Sequence, residues 1–229
     1  ITSSEALAVQ TNLGYQLALL DDASTSGNWT GAKKIFLQNF ATTHNQSLTL
    51  KNIGRINQQG KDIDLFTSYY ESNDYASNFV AAAIDNTAPF NGAVLTTKMR
   101  AELIMKGVVL QGVTMGSINS LRKSIETCLN ANLNADMGSP SYVDLAWAMF
   151  SAKKSQIALG EKRCPQFDTC LPNGQSGSPQ NSKSIVNSVI LDLFQNALKN
   201  ARDGNCWKLQ QQVELITSQL TIPVIQGNE

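Results

Sequence analysis

The chain has 229 residues, 18 basic and 18 acidic side chains, and a formal net charge of zero. That length leaves room for a sizeable core, and the balanced charge offers no basic excess to neutralise a phosphate backbone, which argues against a nucleic-acid partner. Charged residues make up only 16%, against about 25% in ordinary globular chains; Asn, Gln, Ser and Thr replace them, a composition suited to a secreted or lumenal surface.

The sequence opens ITSSEALAV, without Met, which is expected of a mature N-terminus left after a targeting segment is removed. Hydrophobic spacing is helical nearly throughout. SEALAVQTNLGYQLALLDDA predicts a first helix capped by Ser3 or Ser4, with Leu7, Leu13, Leu17 and Leu20 near one face. After the turn STSGN, NWTGAKKIFLQNF predicts a short helix, and a polar loop is expected from Thr42 to about Asn57. KDIDLFTSYYESNDYASNFVAAAID reads as two short helices broken at Asn73 and Asp74, followed by a turn over 86–92.

The longest element is expected over roughly 93–130, with Gly107, Gly112 and Gly116 as close-packing positions, since no phosphate-loop pattern accompanies them. Within it LIMKGVVLQGVTMGSINSL is long enough to span a bilayer. Lys106, Gln111, Ser117, Asn119 and Ser120 make it a buried soluble helix instead. Further helices are predicted in SYVDLAWAMFSAKKSQIALGEKR, in the amphipathic SKSIVNSVILDLFQNALKNARDG, and from Asn205 to about Leu220, where Thr221-Ile222-Pro223 is expected to stop the last one. Strand signals are nearly absent. The expected fold is all-α, one disulfide-braced domain over 1–229 of about eight helices. LLDDASTSGNWTGAKKIF and LKNARDGNCWKLQQQV echo one another in turning at Gly-Asn and restarting near a Trp.

Four cysteines, Cys128, Cys164, Cys170 and Cys206, allow three pairings. The short EKRCPQFDTC loop favours Cys164–Cys170, which leaves Cys128–Cys206 at two helix boundaries. The rival four-thiolate zinc site lacks paired C-x2–4-C knuckles. A catalytic cysteine would want a histidine, and the sole one, His44, lies in the polar run ATTHNQS. Two N-glycosylation sequons, at Asn28 and Asn45, fit an oxidising, secretory route. Asp21, Asp22, Asp62, Asp64, Asp144 and Glu161 read as caps or solvated faces, and Tyr69, Tyr70 and Tyr75 as core aromatics or the lining of a ligand cleft.

The succession LAWAMF, EKRC, FDTC, a Cys after Asp-Gly-Asn, and LTIPVIQG resembles the algal iron-assimilation and high-carbon-dioxide-inducible periplasmic proteins, a family that includes low-iron-inducible members. SYYESNDYASNFVAAAID and NWTGAKKIF extend the resemblance over most of the chain. The resemblance implies an extracytoplasmic helical domain tied to iron acquisition, with a His-Glu pair on the long helix and a His…Asp-Glu set at the start of the Trp helix. Anchored on Cys128, the first pair falls on Asn119 and Ser120; anchored on Trp147, the second His falls on Ser141 and the Glu on Leu145, leaving Asp144 alone as a metal ligand. The expectation is therefore a non-enzymatic secreted, periplasmic or cell-surface domain without a cofactor. It would act as a structural or protein-binding subunit of an extracytoplasmic assembly. The alternative keeps iron or another divalent cation on Asp144, the tyrosines and backbone groups.

Overall fold

The computed structural model describes residues 3–58, 71–92, 94–157 and 185–226. Helix α1 (Ser4–Thr25) is capped by Ser3, whose Oγ accepts from the Ala6 N–H at 3.0 Å. Its buried stripe is Ala6, Val9, Leu13, Gln16, Leu17 and Leu20. Leu7 lies outside that stripe and is exposed, which corrects the expected face: the 3.6-residue period from Leu13 runs back through Val9 and Ala6.

Helix α2 (Trp29–Leu37) follows a tight turn. The expected loop then contains an antiparallel hairpin, β1 (Ala41–Thr43) with β2 (Gln46–Leu48), Ala41 opposite Leu48, and a 3-10 turn over Ile53–Arg55. His44 and Asn45 at the tip both have positive φ, 47° and 59°, as a two-residue hairpin turn requires. Helix α3 (Tyr75–Asp85) starts after the predicted break at Asp74. The helix expected before the break, with Asp62, Asp64, Tyr69 and Tyr70, lies outside the described residues.

The longest rod begins at the Thr96 cap. It runs as α4 (Thr97–Lys106), a π-helical segment (Gly107–Val113) and α5 (Thr114–Leu129). Gly107 and Gly116 are close-packing positions as expected, while Gly112 has room for a methyl. A methyl at Gly107 would meet Val80 Cγ2 at 2.7 Å, and one at Gly116 would press on the Ile53 carbonyl and lie 3.1 Å from Met149 Sδ. Helix α6 (Ser139–Ile157) is buried on nearly every side from Ser139 to Phe150, polar residues included, because it runs between two cores. Leu145, Ala148, Met149 and Ala152 join one core with α1, α2 and the hairpin; Val143, Ala146 and Phe150 join the other with α5, α7 (Ile185–Arg202) and α8 (Cys206–Gln226).

The Cys128–Cys206 bridge forms as expected, with Cα atoms 5.6 Å apart, and ties the end of α5 to the start of α8. Cys164, Cys170 and Glu161 lie outside the described residues. Helix α8 continues through Pro223, against the expected stop, because in the final turn a missing N–H removes only one bond. The fold is thus mainly helical and disulfide-braced, with one small hairpin. No helix among the described residues is long and apolar enough to cross a membrane.

The sequence echo is shared local chemistry. Gly27 and Gly204 both adopt positive φ, 76° and 68°. The next Asn donates its N–H back across the turn, Asn28 to Ala23 O at 2.8 Å and Asn205 to Asn200 O at 2.9 Å. Each Asn Oδ1 then caps the following helix, accepting from Gly31 N–H and Lys208 N–H.

Candidate functional site

Helices α5 and α6 run antiparallel along one another. Gly116 meets Met149, and Lys123 and Glu126 act on Tyr142. This pairing sets 119–120 about level with 144–145, so four of the five positions at which the resemblance implies metal ligands lie near one level of the two helices, with Ser141 about a turn away. A buried polar seam fills that level. Asn119 Nδ2 donates to Gly54 O at 3.0 Å, Ser120 Oγ donates to Gly116 O at 2.8 Å, and Asn57 Nδ2 donates to Ser120 Oγ at 3.1 Å. Leu145 is packed in the apolar core. Asp144 is 3% exposed and engaged within the fold. Apart from Asp144, the positions carry an amide, hydroxyls and a leucine where hard ligands would be needed. Among the described residues no group of three or more His, Cys, Asp or Glu side chains could hold a metal.

One member of this region has no local sequence signal. His44, carried on the hairpin tip, is only 9% exposed and stacks on Tyr142 with ring centroids 4.1 Å apart. Its Nε2 lies 2.9 Å from Ser141 Oγ and its Nδ1 3.0 Å from Thr43 Oγ1. Thr43 Oγ1 is in turn 3.2 Å from Glu5 Oε2, which also accepts the His44 backbone N–H at 3.3 Å. Ser141 Oγ donates its single proton to Gly138 O at 2.8 Å. Nε2 must therefore carry the proton that bonds to Ser141, while the single Thr43 hydroxyl proton has two acceptors in reach, Glu5 Oε2 and the Nδ1 of a neutral ring. Burial lowers the His44 pKa, and Glu5 opposes that by favouring the charged ring. Burial raises the Tyr142 pKa; Lys123 lowers it and Glu126 raises it.

Ser and His at this distance suggest a nucleophile and base. The proton inventory runs the wrong way, however, and Ser141 is 2% exposed, so the pair serves as a structural junction of three elements. The sequence separates His44 from Ser141 by 97 residues, and a two-residue hairpin of His-Asn lacks the usual Asn-Gly signature.

A separate shallow dent, roomy enough for little more than a water molecule, lies against the π-helical segment between Gly107, Gly112, Gly54, Tyr75, Lys51 and Arg55. Of the tyrosine trio only Tyr75 is placed there; Tyr69 and Tyr70 fall outside the described residues. Arg55 is paired with Asp74 at 2.7 Å. Both sequon asparagines, Asn28 and Asn45, are exposed.

The bridged end carries the third feature. Leu129, beside Cys128, is 70% exposed, and Trp207, beside Cys206, is 69% exposed; Leu133 and Met137 in the loop between α5 and α6 are 37% and 42% exposed. Leu133 lies against the Gly204 turn. Leu129 and Trp207 are thus exposed on the two chain segments that the bridge joins. No family model matches the chain, and neither the curated proteins nor the solved structures contain a match.

Proposed function

We propose that the chain is a non-enzymatic extracytoplasmic domain of the algal iron-assimilation type whose metal ligands have been replaced, and that it works as a protein-binding subunit. The observation that carries the binding role is the exposed pair Trp207 and Leu129 at the disulfide. A Trp held on a covalently braced helix start is a rigid anchor of the kind that dominates protein interfaces. The partner surface is apolar and weakly charged: the chain has zero net charge and only 16% charged residues, so charge steering contributes little. The disulfide supports an oxidising compartment. The neutral side chains at Asn119, Ser120, Ser141 and Leu145 support the loss of the metal role.

Metal analysis of natively purified protein, with calorimetric titration of ferric and ferrous iron, separates this reading from iron binding. The expected result is no stoichiometric iron. Tight one-to-one binding that Asp144→Ala abolishes would restore the metal-binding alternative.

A further inference from the structure

The His44 junction joins three parts of the chain through one titratable ring. It links the hairpin through Thr43, α1 through Glu5, and the first turn of α6 through Ser141 and Tyr142. We propose that His44 is a proton-operated latch on the β1–β2 hairpin, closed onto α1 and α6 when the ring is neutral and loosened when it is charged. This inference stands independently of the binding role proposed above.

The neutral ring is bonded at both nitrogens when Thr43 turns its one proton from Glu5 to Nδ1. Nε2–H donates to Ser141, and the Thr43 hydroxyl then donates to Nδ1, leaving Glu5 Oε2 with the His44 backbone N–H. Adding a proton to Nδ1 reverses that second bond: Nδ1–H must donate to Thr43 Oγ1, and the threonine proton must turn to Glu5 Oε2, 3.2 Å away. The charged network is thus bonded, but its charge sits under the Tyr142 face, shut from water. The charged groups around it decide the balance. Glu5 on α1 favours the imidazolium. On α6, Tyr142 covers the ring and Asp144 follows Ser141 by three residues. Behind Tyr142, on α5, Lys123 and Glu126 are paired at 2.9 Å and largely cancel. Burial outweighs Glu5, and the closed-state pKa falls below the ordinary value.

The sign follows. With the hairpin open the ring titrates near its usual value, about 6.5. With the hairpin closed it titrates lower, so opening takes up a proton in the interval between. The latch is fully effective above pH about 6.5 and weakens as pH falls through the closed-state value. Within that window the opening constant rises by up to about tenfold per pH unit.

Because the chain has a single histidine, one imidazole resonance reads its protonation without ambiguity. Nuclear magnetic resonance on the full oxidised chain is expected to show an Nε2–H tautomer with a midpoint below 6.5. Hydrogen exchange, corrected for intrinsic chemistry, is expected to show protection falling toward acid at the His44 and Phe40 amides, which bond to Glu5 and to Leu48 O. Amides in α8 should not follow. Glu5→Gln removes the group that favours charge and should move both midpoint and loosening to lower pH. An Asp21→Asn background removes the raised Asp21 titration in α1. A midpoint at or above 6.5, or hairpin protection that stays flat from pH 7.5 to 5, overturns the latch. The resonance and Glu5→Gln measurements decide the matter even if His44→Gln fails to fold.

Discussion

Alanine at Gly116 should destabilise the protein, although alanine is the better helix former. The added methyl would lie well inside 3.0 Å of the Ile53 carbonyl oxygen and 3.1 Å from Met149 Sδ. Methionine can swing away, but the carbonyl belongs to the 3-10 turn that also approaches the rod at Gly54 and Gly112, so backbone must move. Overpacking of that kind costs up to about 3 kcal/mol, and the gain in helix propensity returns about 1 kcal/mol. The net loss of about 2 kcal/mol corresponds to a melting point roughly 4–8 °C lower for a chain of this size. Gly112 supplies the control, because its added methyl meets Ile53 Cγ2 at 3.4 Å and Gly107 O at 3.9 Å, both ordinary contacts. Gly112→Ala should be neutral or stabilising by up to about 1 kcal/mol. Paired thermal and urea denaturation read both variants. Equal stability for Gly116→Ala and wild type, or a worse loss at Gly112 than at Gly116, would refute the packing geometry.

Three further outcomes follow from the same contacts. Removing the bridge with a Cys128→Ser, Cys206→Ser double variant frees a 78-residue separation and should cost about 4 kcal/mol on the loop-entropy scale, read as a lower denaturation midpoint. Arg100 lies 4.0 Å over the Trp29 ring and donates from Nε to Ala83 O at 2.6 Å and from a guanidinium NH2 to Ile84 O. Arg100→Ala should therefore lose about 2 kcal/mol and shift Trp29 emission. Burial, then Asp22, raises the Asp21 pKa, so its folded value exceeds the unfolded one. Asp21 then opposes folding at neutral pH, and Asp21→Asn should raise stability at pH 7 while giving no gain below the unfolded value of about 3.9 in a pH series of melts.

Elements with a long period or a punctuating residue were legible in the sequence. The Ser3 cap, the helix start after Asp74 and the Thr96–Leu129 rod all carry such signals. The Cys128–Cys206 pairing was legible because each cysteine sits where a helix ends or begins. The hairpin was not, because three-residue strands give no alternation to count and His44-Asn45 is an unusual tip. The phase of α1 was misread at Leu7 because Ala6 and Val9, the residues that face the core, are smaller than the leucine beside them. The π-helical segment leaves no period of its own in seven residues. The polar seam was visible only as scattered Ser and Asn in an apolar run. Its meaning depends on partners such as Gly54 O and Asn57, more than sixty residues away. The resemblance picked out positions 119, 120, 141, 144 and 145; the antiparallel pairing of α5 and α6 is what brings 119–120 level with 144–145.

The binding role is tested most directly by the native mass of the chain in fresh extract of the cells that make it, wild type against Trp207→Ser. Trp207 is 69% exposed, so this substitution should leave stability within about 0.5 kcal/mol. The account predicts a wild-type complex well above the 24.8 kDa of one chain, and release to that mass in the variant. A wild-type protein that runs as a lone 24.8 kDa species, or a complex indifferent to Trp207, would contradict it.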